Sequence, residues 1–166
     1  MTDHKNKIAE ILKLAIKGEE DGCRYYGLLA EKATNEDARR KLLRLRDDEL
    51  RHRKTLTGMY AEHVGGEIGE LPAKGITPLA EVFSEGNLDR RKTEMEFINL
   101  AIEAELAATR FYQRQHEAVD DPGFRSIFEQ LADEEHRHYE LLQAEKEALS
   151  GNYYWFEYGD TSPLED

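Results

Sequence analysis

Six ionisable side chains stand out by type and spacing. Glu49 and His52 lie in "LRDDELRH" (45–52), and Glu135 and His138 in "LADEEHRH" (131–138). Each pair is spaced i, i+3, so on a helix both side chains project to one face. Glu19 precedes Glu49 by thirty residues (49−19), and Glu105 precedes Glu135 by the same interval (135−105). All six fall where the surrounding pattern wants apolar residues. Buried carboxylates repel one another: a pair at ~4 Å costs about 4 kcal/mol at an effective dielectric near 20, before desolvation. Two divalent cations would cancel four negative charges, and two neutral imidazoles would complete the coordination. Mixed carboxylate and imidazole donors suit iron, manganese or zinc, whereas calcium and magnesium rarely use histidine. The residues therefore point to a dinuclear metal site.

Four long helices must carry these side chains. All four prolines (Pro72, Pro78, Pro122 and Pro163) fall outside four segments with helical periodicity, and proline inside a helix costs about 3 kcal/mol. The expected helices span about 4–33, 36–64, 88–119 and 121–150. Asn35 caps the second and Gly65-Gly66 ends it; Asp121-Pro122 opens the fourth. Each helix carries a seam of alternating four- and three-residue steps. In the first it reads Leu12, Ala15, Glu19, Gly22, Tyr26, Leu29; in the second Leu42, Leu45, Glu49, His52, Leu56, Met59. The third gives Ile98, Ala101, Glu105, Ala108, Tyr112, and the fourth Phe124, Phe128, Leu131, Glu135, His138, Leu142. Short turns predict two antiparallel hairpins joined by a crossover over about 65–87, with one short helix after Thr77-Pro78. Glu19 and Glu49 lie about equally far from the first turn, roughly 23 Å along each rod, so they sit level.

The halves repeat at an offset of 86: Glu19 with Glu105, Tyr26 with Tyr112, Glu49 with Glu135, His52 with His138. Internal duplication accounts for the offset. It does not account for charge at the matched seam positions, which metal binding does.

The bulk properties agree with a single helical domain over 1–151 and an aromatic tail, 152–166, that is not an independent domain. The chain has 166 residues, 39% hydrophobic and 35% charged, with net charge −12. That charge argues against nucleic-acid binding. No apolar run approaches the ~20 residues that span a bilayer, so no membrane partner is expected. "MTDHKNKIAE" is polar and lacks the apolar core of a secretory signal, which makes a cytoplasmic location the default expectation. Cys23 is the one cysteine; one turn after Glu19, it reads as a small packing residue.

One Glu from each of two helices plus Glu-x-x-His from each of the other two resembles the di-iron carboxylate pattern of ferritin-like proteins, and within them the rubrerythrin family. The resemblance covers all four helices. It implies an all-α, ferritin-like four-helix bundle and two iron ions, with Glu49 and Glu135 bridging. Glu19 and Glu105 would be terminal ligands, and His52 and His138 one nitrogen ligand each. "DELRH" (48–52) and "EEHRH" (134–138) are similar to the family's Asp-Glu-x-Arg-His element. There the acid before the ligand Glu holds a histidine ring and the arginine braces that acid, roles that fall to Asp48, Glu134, Arg51 and Arg137. Tyr26 and Tyr112 are placed to hydrogen-bond a carboxylate or guard the site.

The resemblance also implies an activity: reduction of hydrogen peroxide or dioxygen. Rubrerythrins usually append a four-cysteine rubredoxin domain, which one cysteine cannot build, so electrons would come from a separate donor such as a rubredoxin. A homodimer is expected. Many members carry a further carboxylate where this chain has Ala108, which makes the six-ligand set equally close to a bacterioferritin ferroxidase centre. Against haem, Leu50 stands where the haem-binding methionine would be. A ferroxidase that hands on ferric iron, and an interaction module with structural metals, are the alternatives.

Overall fold

A computed structural model describes residues 2–80, 94–149 and 153–156. Four helices carry the fold: α1 (Thr2–Lys32), α2 (Glu36–His63), α3 (Glu94–Ala118) and α4 (Pro122–Ala148). No strand occurs among the described residues. The expected helix edges hold to within about two residues, except that 88–93 lie outside the described segments. Caps explain the boundaries. Asn35 accepts from the Asp37 and Ala38 amides at 3.0 and 3.2 Å, and Asp121 accepts from Phe124 N at 3.0 Å with Pro122 opening the helix. At the end of α2, Val64 N and Gly65 N both donate to Tyr60 O. Gly65 then turns the chain away at φ +80, a conformation that favours glycine.

Helix α1 packs along α2, and α3 along α4, giving two hairpins whose apolar seams meet. The core divides into two clusters. One contains Leu12, Ile16, Leu56, Met59, Phe111, Phe124 and Phe128; the other contains Tyr25, Leu29, Leu42, Leu45, Phe97, Ile98 and Leu142. On every helix the ionisable seam residues fall between the two. The polar layer is thus a mid-bundle slab sandwiched between two apolar ones. All-α and built from two antiparallel hairpins, this is the ferritin-like bundle.

The order of the clusters also dictates the crossover. Helix α2 ends in the first cluster with Tyr60, and α3 begins in the second with Phe97. The connection therefore has to run the length of the bundle. On the way Ile68, Leu71 and Ile76 pack on the first cluster and Leu79 enters the second. Leu79 and Ala80 are helical; the rest of the short helix expected after Pro78 falls outside the described residues.

Residues 153–156 close one end of the bundle. Trp155 and Phe156 are buried in the second cluster. Their amides donate to Glu94 at 3.1 and 3.0 Å, and Trp155 O accepts from Thr34 N at 2.9 Å. Glu145, itself buried, accepts from Trp155 Nε1 (3.1 Å), Tyr153 Oη (2.5 Å) and Lys41 Nζ (2.5 Å). No described helix is long and apolar enough to cross a membrane.

Candidate metal centre

The bundle brings Glu19, Glu49, His52, Glu105, Glu135 and His138 together, and none is more than 6% exposed. Ligand atoms of Glu19, Glu49, His52 and Glu135 all lie within 4.8 Å of one another, as do those of Glu49, Glu105, Glu135 and His138. Glu49 and Glu135 are common to both groups.

The histidine rings show which atoms face inward. His52 Nε2 contacts Glu134 Oε2, leaving Nδ1 directed at the cluster, 2.7 Å from Glu135 Oε1 and 3.4 Å from Glu19 Oε2. His138 Nε2 meets Asp48 Oδ2 at 3.0 Å, with Nδ1 3.1 Å from Glu49 Oε1 and 3.4 Å from Glu105 Oε1. An acid on Nε2 selects the tautomer and leaves the Nδ1 lone pair free to bind a cation. The pairing is crossed: Asp48 of α2 holds the α4 histidine, and Glu134 of α4 holds the α2 histidine. Arg51 braces both acids, at 3.2 Å to Asp48 and 2.9 Å to Glu134. Arg137, expected to mirror it, is exposed and bonds neither acid, so one arginine serves both.

The tyrosines cross between hairpins in the same manner. Tyr26 of α1 donates to Glu105 Oε1 of α3, and Tyr112 of α3 donates to Glu19 Oε1 of α1, each at 2.5 Å. Burial first, and the neighbouring carboxylates second, push both phenols well above their usual range. They therefore remain donors. Each bond occupies one oxygen of a terminal carboxylate and orients the other.

Crowding governs the electrostatics of the cluster. Burial and the charge of Glu135 push Glu49 and Glu105 well above the ordinary carboxylate range. Despite its burial, Glu135 is held ionised by Glu105, His138 and His52. Burial opposes protonation of His52, yet the Glu135 and Glu19 carboxylates prevail and push it up to about 11. His138 is likewise raised by its acidic neighbours against burial. Even so, Glu19 Oε2, Glu49 Oε1, Glu135 Oε1 and both Nδ1 atoms crowd together without one well-aligned hydrogen bond. Among the described residues, the remaining orphaned buried side-chain atom is Asp21 Oδ2. Orphans of this kind cost about 1–3 kcal/mol each, more when charged. These residues fit a metal site: lone pairs converge, and the carboxylates supply charge that bound cations would neutralise.

Several contributors escape the helical pattern. Ile76, Thr77 and Leu79 of the crossover line a cavity of about 10 Å³ that borders the four glutamates. Gly22 borders it too; a Cβ there would stand 2.8 Å from Glu49 Oε2. Its small size makes room for the Glu49 carboxylate. The offset of 86 names its counterpart, Ala108, on the same cavity. The crossover residues carry no repeat signal and no periodicity. Cys23 is half-buried outside the cluster, and burial raises its thiol. His136 is exposed beside Glu140, and His63 packs on Phe124 at the bundle end.

Comparison with known proteins places this geometry. The family model described as Rubrerythrin matches residues 10–149, a span containing every residue of the cluster. A solved hypothetical protein from Pyrococcus furiosus is similar at 30% identity and a TM-score of 0.75, over 86% of this chain and 89% of that one. No curated protein matches the chain significantly.

Proposed function

The chain belongs to the rubrerythrin family, and from that premise we propose that it is a non-haem di-iron oxidoreductase reducing hydrogen peroxide or dioxygen. The observation that carries the proposal is the pair of overlapping buried ligand groups sharing Glu49 and Glu135. In this reading Glu19, Glu49, His52 and Glu135 would hold one ion, and Glu49, Glu105, Glu135 and His138 the other. Manganese or zinc would fit the same donors. Iron is favoured because the family chemistry is redox chemistry. When bound, two ferrous ions supply one electron each, enough with two protons to reduce hydrogen peroxide to two waters.

The chain's own groups have defined tasks. Asp48 and Glu134 fix the imidazole tautomers, and Arg51 keeps both acids ionised. Tyr26 and Tyr112 hold the terminal carboxylates and keep their protons at Oη within 2.5 Å of Glu105 and Glu19. The two apolar slabs exclude bulk water from above and below. Electrons would arrive from a donor such as a rubredoxin. A homodimer in the cytoplasm completes the proposal.

Stopped-flow mixing of the anaerobically reduced, iron-loaded protein tests it. Ferric absorption should rise quickly with hydrogen peroxide and more slowly with dioxygen; inertness to both rejects an oxidoreductase. The ferroxidase reading predicts a large hollow assembly on size-exclusion chromatography, where this one predicts a dimer.

A further inference from the structure

One wall of the metal centre comes from the crossover and not from the bundle. Its backbone passes α1 at a pair of glycines. A Cβ on Gly75 would stand 3.0 Å from Gly18 N, and one on Gly18 would stand 2.6 Å from Ile76 Cγ1. Together they let the crossover lie against the helix more closely than side chains would permit. Gly18 costs α1 about 1 kcal/mol relative to alanine, and its effect is to seat Ile76 beside the carboxylates. Ile76, Thr77 and Leu79 then border a cavity of about 10 Å³, room for about one water.

We infer that Ile76 is a specificity-determining residue, its side chain forming the wall that admits hydrogen peroxide or dioxygen to the centre and excludes bulkier hydroperoxides and anions. The inference rests on the dinuclear-metal reading above. Three observations make the wall firm. Ile76 Cγ1 and Cδ1 lie directly against the Gly18 position. Isoleucine is β-branched and stiff about χ1. The next residues are anchored, with Leu79 buried in the core and its amide 3.5 Å from Thr77 Oγ1. A two-heavy-atom oxidant has one heavy atom more than the water that fits. A hydroperoxide with an aryl group is several times larger.

Access can be read without turnover. Cobalt(II)-loaded protein is titrated with azide and with benzoate, following the visible ligand-field bands. Wild type should respond to azide and not to benzoate. Ile76→Ala should gain benzoate binding by about tenfold or more, the size of discrimination a few methylenes confer, with azide affinity little changed. In stopped-flow oxidation of the iron form, the same variant should gain about tenfold on cumene hydroperoxide and little on hydrogen peroxide. Ile68→Ala, which loosens the crossover away from the cavity, should leave both ratios as in wild type. Ile76→Val should fall between, and it decides the matter if the alanine variant does not fold. Benzoate binding to wild type as tight as azide, or equal gains in Ile68→Ala and Ile76→Ala, would overturn the inference. Azide binding with size selection, but no oxidation by any peroxide, would reject the oxidoreductase and leave Ile76 its role.

Discussion

Replacing Gly22 by alanine should move stability and metal affinity in opposite directions. Glycine within a helix costs about 1 kcal/mol relative to alanine, and Gly22 lies well inside α1. The added Cβ would stand 2.8 Å from Glu49 Oε2 and 3.3 Å from its Cδ. In the metal-free protein that carboxylate is the free end of a flexible side chain and can rotate aside. The helix gain then survives, raising the melting midpoint by about 2–4 °C. With metal bound, Glu49 cannot rotate without leaving both ligand groups it belongs to. Displacement of a group that orients a metal site costs about 10–100-fold in affinity, and loss of a shared ligand should reach the upper part of that range. Two assays suffice: thermal unfolding of chelator-treated protein, and competition for iron or cobalt against a calibrated chelator. A Gly22→Ala protein that melts higher and binds metal as tightly as wild type would refute the reasoning. So would one destabilised without metal.

Other predictions follow from the same geometry. Stability of the metal-free protein should fall as pH rises above about 6.5: His52, raised to about 11, contributes fully below its unfolded value and loses that contribution up to its folded one. Metal loading should release protons and flatten the decline, which urea melts at a series of pH values with and without metal can check. On the acid side Asp48, held down to about 2 by His138 and Arg51 against burial, should lose its contribution between about pH 4 and 2. Arg51→Ala should weaken metal binding about tenfold or more, because it frees both acids, while Arg137→Ala should leave the chelator titration unchanged. Glu145→Ala removes the acceptor of three donors at the tail, orphans the buried Trp155 Nε1 and should cost about 1–3 kcal/mol. Trp155, the one tryptophan, would report its release as a red-shifted emission.

Much of the centre was legible because duplication and helical period act on the same positions. Glu49 and His52 declare themselves by interrupting an apolar seam, and Glu135 and His138 repeat the interruption at fixed distance. Equal spacing from the turns then places Glu19 and Glu105 level with them. The tyrosine contacts were readable only as far as their rows: that Tyr26 reaches Glu105 and not its own hairpin's Glu19 depends on how the hairpins face. Arg137 marks where duplication misleads. Its sequence context copies that of Arg51, but one guanidinium already satisfies both acids and the copy stays in solvent. Ile76 and Thr77 left no sign, since a crossover has neither period nor repeat, and only the apolar ends it must join dictate its course. The tail was legible as aromatic and dependent on the domain; its socket at Glu94 and Glu145 required the packed helices.

Crystals grown anaerobically with iron(II), with diffraction measured on both sides of the iron absorption edge, test the central claim most directly. The account predicts two anomalous peaks about 3.5–4 Å apart. One should touch His52 Nδ1 and Glu19, the other His138 Nδ1 and Glu105, and both should touch Glu49 and Glu135. A single peak, or density for nothing but water among these six side chains, would contradict it.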